Sequence, residues 1–176
     1  MSPRPPPSDR LARLFIGLWP DLETRAALVR HQAVWRWPVG AQPTRPERLH
    51  LTLHFLGELP RDRIAPLVQA LALPFEPFVL TLDLPELWSG VNAVVRPANV
   101  PPALAALHGR LQRELDALAL PSLRAHFQPH VTLARAARGA EPPAVMAPLR
   151  WAVAGYALVE SDLRPPARYR RLAEYP

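Results

Sequence analysis

The chain has no cysteine and no lysine. The first absence excludes disulfides, thiol nucleophiles and thiolate-bound zinc. The second makes all 21 basic residues arginine, against 15 acidic ones, for a net charge of +6. Glycine is sparse at 7 residues, whereas proline reaches 24. No apolar run is long enough to span a bilayer. Leu14 to Trp19 is apolar but short, lacks a small-residue cleavage site, and reads as a strand rather than a signal segment. A cytoplasmic location is the expectation.

The arginine-only charge has two readings. One is affinity for a polyanion such as RNA. The other is codon bias, since abundant Ala and Pro accompany the Arg. The arginines are scattered without a long basic block, so the charge lends only mild support to a phosphate-bearing substrate.

What is present fits a globular chain. Of its 176 residues, 49% are hydrophobic and 20% charged, a balance that can bury a core. The length suits one domain or two small lobes sharing a core. Residues 1–10 are a Pro-rich stretch expected to be a disordered tail. Residues 11–176 are expected to form a single domain.

Arg13–Trp19 reads as a strand ended by Pro20-Asp21, with Asp21 capping a helix to about Trp35. Four helix-breaking residues, Pro38, Gly40, Pro43 and Pro46, make Trp37–Glu47 a loop. Arg48–Leu56 reads as a strand closed by Gly57, and Pro60 opens a helix to about Leu71. Phe78–Leu84 and Val91–Arg96 read as strands with a Ser89-Gly90 turn between them. Leu104, Leu107, Leu111, Leu115 and Leu118 keep helical spacing over Ala103–Leu118. His130–Arg135, Trp151–Glu160 and Tyr169–Glu174 complete the strands. Strands outnumber helices and several neighbours are antiparallel, so the class is α+β.

Two segments share one pattern. His50-Leu51-Thr52-Leu53 and His130-Val131-Thr132-Leu133 both read His, apolar, Thr, apolar. Strand alternation puts each His beside its Thr on one face and buries the aliphatics behind. Two such strands facing each other would supply two imidazoles and two hydroxyls to one cleft. Imidazole works as acid or base near neutrality. Hydroxyls at Thr52 and Thr132 are suited to bonding the charged oxygens of a phosphate. Each segment alone also reads as an ordinary half-buried strand with a surface His; the repetition is what argues for chemistry. No acidic or Cys/His cluster has metal-ligand spacing.

At these residues the chain resembles the 2H phosphoesterase superfamily, and within it the RNA 2′,3′-cyclic phosphodiesterases, or 2′-5′ RNA ligases. The likeness rests on Arg13–Leu18, Leu49–Glu58, Phe127–Arg135 and Leu158–Ser161 followed by Tyr169, in the family's order, and covers about residues 11–172. It implies a bilobal fold, with two antiparallel sheets and flanking helices around a central cleft. It implies substrates that are RNA ends or nucleotides carrying a 2′,3′-cyclic phosphate, a 2′-phosphate product, possible reverse 2′-5′ ligation, no cofactor and no metal. It further implies His50 as proton donor to the leaving oxygen and His130 as proton acceptor from water. A monomer is expected. The alternatives are a 2H phosphodiesterase for another small cyclic phosphate and a non-catalytic RNA or nucleotide binder.

Other residues carry specific expectations. Arg135 would add a charge-assisted bond to the phosphate, but strict alternation turns it away from His130 unless the strand ends or bulges. His54 departs from the family pattern. Alternation puts it on the face of His50 and Thr52, either as a third imidazole at the cleft rim or as a solvated strand end. Arg96-Pro97 stands where relatives keep an apolar strand, so that hairpin is expected to be shorter. His31, His108 and His126 are expected to be solvated, and Phe127 to be core unless it stacks on a base. Ser89 and Ser161 lack the context of a serine nucleophile.

Overall fold

The computed structural model describes residues 10–120, 126–162, 164 and 168–176. Residues 1–9 of the expected tail lie outside that range. The elements run β1 (Leu11–Leu18), α1 (Leu22–Ala33), β2 (Gln42–Pro43), β3 (Leu51–Pro60), α2 (Ile64–Ala70), β4 (Phe78–Leu82), β5 (Leu84–Trp88), β6 (Asn92–Arg96), α3 (Pro102–Ala117), β7 (Val131–Arg135), β8 (Leu149–Val153), β9 (Tyr156–Asp162) and β10 (Arg168–Tyr175). Short 3-10 turns at Pro46–Arg48 and Arg61–Arg63 lead into β3 and α2.

Local chemistry accounts for the helix ends. The Asp21 carboxylate accepts the Thr24 backbone N–H at 2.7 Å, which satisfies a donor the first turn of α1 would leave unpaired. Glu23 lies in the first turn and Arg30 and His31 in the last, each matched to the helix dipole. In α3, Pro102 occupies the first turn, where its missing N–H costs nothing. Leu104, Leu107, Leu111 and Leu115 form its buried stripe, which packs on β3 and β4.

The strands make an antiparallel sheet in the order β10-β9-β1-β3-β7-β6-β5, with β2 added along β7 and a separate two-stranded sheet of β4 and β8. The two motif strands β3 and β7 lie side by side at the centre. They are joined by a single pair, Leu51 with Val131. The halves of the expected bilobal fold therefore join into one sheet at one rung. Leu51 and Val131 are both fully buried in a core shared by the two halves.

Two long strands of the sequence reading each divide. Phe78–Leu84 is cut at Asp83: β4 pairs with β8, and β5 makes a hairpin with β6 through all five residues of each. That hairpin is not shortened before Arg96, where β6 ends and Pro97 follows. Its turn, Ser89-Gly90, has both φ angles positive, at 50° and 66°, the geometry that matches the twist of adjoining strands. Trp151–Glu160 is cut at Ala154-Gly155, where the chain leaves the small sheet for the large one. A Cβ at Gly155 would collide with the Tyr175 carbonyl, so only glycine lets β8 and β9 part this close to β10.

Candidate active site

Strand alternation alone would carry each motif past its Thr with the next cleft-facing residue two positions on. Just after the motif Thr, the structure inserts one extra residue in both strands. Between β1 and β3, Gly17 pairs with Thr52 and Ile16 with His54, leaving Leu53 unpaired. Between β6 and β7, Val94 pairs with Thr132 and Ala93 with Ala134, leaving Leu133 unpaired. A bulge of this kind resets the alternation. Phe55 and Arg135, each three positions after the motif Thr, consequently line the cleft with His50, Thr52, His130 and Thr132. The same bulges turn His54 and Ala134 into the interior, at 1% and 0% exposure.

This meets the condition set for Arg135 and corrects the expectation for His54. Arg135 faces the same cleft as His130 because the strand bulges at Leu133. His54 is neither a cleft imidazole nor a solvated strand end. Its Nε2 lies 3.0 Å from the His108 carbonyl, and its ring stacks on the His108 ring at 4.0 Å. His108 stacks in turn on Phe127 at 3.9 Å. His108 is thus half-buried in a ring stack rather than solvated, and Phe127 packs against the core and not in the cleft. Burial lowers the pKa of His54, and lowers that of His108 to about 4. His31 is also half-buried, accepting the Trp35 indole N–H at 3.3 Å, while His126 is exposed as expected.

The two motif histidines are held alike. His50 Nδ1 lies 2.6 Å from the Arg48 carbonyl, and His130 Nδ1 lies 2.7 Å from the Gln128 carbonyl. A carbonyl only accepts, so Nδ1 carries the proton in each ring and Nε2 is the basic nitrogen. Counting outward in antiparallel register from Leu51–Val131, His50 falls beside Thr132, and Thr52 beside His130. Each imidazole is thereby set next to the other motif's hydroxyl.

The settings of the rings differ. His50 stacks on Trp19 at 5.1 Å and 11°, meets Phe15 at 5.0 Å, and meets Tyr169 edge-on at 5.4 Å. Phe15, Gly17 and Trp19 share one face of β1 by period two, opposite the buried Leu14, Ile16 and Leu18. A Cβ on Gly17 would lie 2.9 Å from the Leu51 carbonyl oxygen and 3.2 Å from the Trp19 ring, so glycine is what admits Trp19 against His50. Burial in this aromatic surround pushes the His50 pKa down to about 4. The charges of His130, Arg135 and Arg48 push it the same way, against the Arg48 carbonyl, which raises it. The His130 ring meets Trp88 at 4.4 Å.

The cleft holds about 540 Å³. Arg13, Arg45, Arg48 and Arg135 line it, with no carboxylate among the lining side chains. Arg48 lies over the Tyr169 ring at 4.7 Å and donates to its hydroxyl at 3.3 Å. Arg13 lies over Phe55 at 4.7 Å. Ser161, from β9, sits at the cleft wall, 8% exposed. One wall is the loop through β2, secured by a buried amide: Gln32 Nε2 donates to the carbonyls of Leu133 and Thr44 at 2.7 and 2.9 Å.

Arg13, Phe15, Trp19, Arg48 and Phe55 were not singled out as site residues from sequence. The signal for three of them is the period-two series Arg13, Phe15, Gly17, Trp19 on the first strand. Phe55 has no such signal, since it reaches the cleft only through the bulge. Among the described residues, no group of three or more His, Asp or Glu converges as metal ligands would. No helix among them is long and apolar enough to cross a membrane.

Comparison with known proteins agrees with this geometry. The family model of the 2′-5′ RNA ligase superfamily matches residues 23–169. An RNA 2′,3′-cyclic phosphodiesterase of Thermus thermophilus is 35% identical over 166 residues, covering 87% of this chain and 83% of the relative. The Escherichia coli protein of the same name is 30% identical over 125 residues, covering 70% of this chain and 71% of the relative. The solved structure of E. coli LigT complexed with 3′-AMP superposes with a TM-score of 0.79 at 27% identity, covering 94% of this chain and 97% of that one. The paired motifs, the sheet that joins them and these similarities together make the chain a member of the 2′-5′ RNA ligase superfamily.

Proposed function

We propose that the protein hydrolyses 2′,3′-cyclic phosphate ends of RNA to 2′-phosphomonoesters without a metal. The carrying observation is the pair of motif histidines in one cleft, each with Nδ1 tied to a backbone carbonyl. Water adds to phosphorus as the bond from phosphorus to the 3′ oxygen breaks. His130 takes the proton from water, and His50 gives a proton to the departing 3′ oxygen. Thr52, Thr132 and Arg135 bond the non-bridging oxygens, where charge develops. Reverse 2′-5′ ligation exchanges the two histidine roles. The names of the Thermus and E. coli relatives, and the 3′-AMP held by LigT, support a nucleotide-ended substrate.

The low pKa of His50 bears on its role. In the unliganded protein it is neutral at pH 7 and has no proton at Nε2 to give. A phosphate anion in the cleft offsets the arginine charges and favours the imidazolium. The substrate thereby charges its own acid.

The test is incubation of the protein with adenosine 2′,3′-cyclic phosphate, with and without EDTA, and identification of the product. Adenosine 2′-phosphate formed at equal rates in both supports the proposal. No turnover by folded protein, a 3′-phosphate product, or loss of activity with EDTA would overturn it.

A further inference from the structure

A second groove opens off the cleft on the His50 side. It holds about 460 Å³ and is lined by Arg45, Arg48, Arg168 and Arg171, with Trp19 and Tyr169. Glu47 is its one acidic lining residue. Arg45, Arg48 and Tyr169 belong to both spaces, so the groove continues the cleft.

Its aromatic rings are already engaged. Trp19 stacks on His50 and has the Arg171 guanidinium 5.4 Å from its centre, and Tyr169 carries Arg48 at 4.7 Å. These rings hold guanidinium groups in place rather than offering faces to bases. The Arg48 Nε is buried with no hydrogen-bond partner among the described residues. Arg171 meets Glu174 at 3.0 Å, but both side chains are exposed, at 41% and 63%, and such a pair holds its cation loosely. Planar guanidinium forks in a groove fit phosphate oxygens.

Substrate chemistry supplies the direction. A 2′,3′-cyclic phosphate occupies both hydroxyls of the terminal ribose, so the RNA chain leaves that ribose only through its 5′ oxygen. One exit groove suffices. We infer that this groove holds the phosphodiester backbone just 5′ of the reacting end, so that an oligoribonucleotide is bound more tightly than a lone nucleotide with the same end. This rests on the function proposed above. Recognition here is through the backbone and is tolerant of base sequence.

Arg168 and Arg171 are exposed and lie outside the catalytic cleft, so their exchange spares the fold. The test compares the wild-type protein with the Arg168→Gln/Arg171→Gln variant by fluorescence anisotropy. The probes are a labelled single-stranded hexaribonucleotide ending in a 2′-phosphate, and adenosine 2′-phosphate as competitor. The expected result is about tenfold weaker hexamer binding by the variant and a shallower salt dependence, with adenosine 2′-phosphate affinity unchanged. Unchanged hexamer affinity, or equal losses for both ligands, would overturn the inference, as would displacement of the hexamer by an equally charged acidic peptide at similar concentration. Failure of the wild type to open adenosine 2′,3′-cyclic phosphate would remove the phosphodiesterase reading alone, since the ratio of binding losses still decides the groove.

Discussion

The side-chain amide of Gln32, on the first helix, donates to the carbonyl of Leu133, the unpaired residue of the second motif's bulge, at 2.7 Å. The Thr44 N–H reaches the same carbonyl at 2.7 Å. Gln32 thus ties a strand irregularity and a cleft wall together from a position 101 residues away from the bulge. Gln32→Leu removes both bonds and leaves buried acceptors under-satisfied, an expected loss of about 1–3 kcal/mol. It should also release Arg135 from the cleft. A fall in kcat/KM at temperatures where the variant is fully folded, with Gln32→Glu failing to restore it, checks the positioning role. Normal kinetics in a folded Gln32→Leu protein would show that the bulge stands without it.

His50→Ala and His130→Ala should each lower turnover of adenosine 2′,3′-cyclic phosphate by about 10²–10⁴-fold, the usual worth of general acid or base catalysis. Circular dichroism should stay native. Near-normal rates in either variant would refute the two-histidine mechanism.

Arg135→Gln should raise the His50 pKa above about 4, because the guanidinium charge is one of the influences holding it down. Inorganic phosphate should raise it in the wild type by offsetting the same charge. Titration of the His50 ring signals by NMR reads both effects. A His50 pKa unmoved by either change would disconnect the cation from the imidazole.

The buried ring stack makes stability depend on pH with a definite sign. His54 and His108 have folded pKa values below the ordinary 6.5, that of His108 at about 4. Below pH 6.5 the unfolded chain binds protons that the folded chain refuses, so stability falls as pH drops from 6.5 toward 4. The Arg-paired Glu86, whose pKa is lowered, loses its contribution only further down, below the ordinary 4.5. Thermal denaturation should show Tm declining between pH 6.5 and 5. His108→Leu should flatten that decline.

Gly17→Ala should disturb the site more than the fold. A Cβ there meets the Leu51 carbonyl oxygen and the Trp19 ring, and moving Trp19 uncovers His50. The expected outcome is an upward shift of the His50 pKa together with reduced kcat/KM. Trp19 fluorescence should change in the same variant.

The motif residues were legible because period two needs nothing beyond the strand itself. His50, Thr52, His130 and Thr132 share a cleft for that reason. Phe55, Arg135 and His54 were not legible in the same way. Their facing depends on bulges set by cross-strand pairing and, at Leu133, by Gln32 from another element. The Asp21 cap and the α3 leucine stripe were readable, being local. The division of Trp151–Glu160 was not, because it turns on the Tyr175 carbonyl standing against Gly155. His108 looked like a surface helix residue until Phe127 and His54 closed over it from distant segments.

The Leu51–Val131 rung would serve as the pivot of any rotation between the two halves. Each motif histidine immediately precedes a member of that rung, whose α-carbons stand about 4.5–5.5 Å apart. Rotation of one half of the sheet against the other displaces each point in proportion to its distance from the pivot. The outer wall carrying Arg45 would move further than the two imidazoles. Such a rotation would change the width of the entrance while leaving the spacing of the two motif histidines nearly as it is.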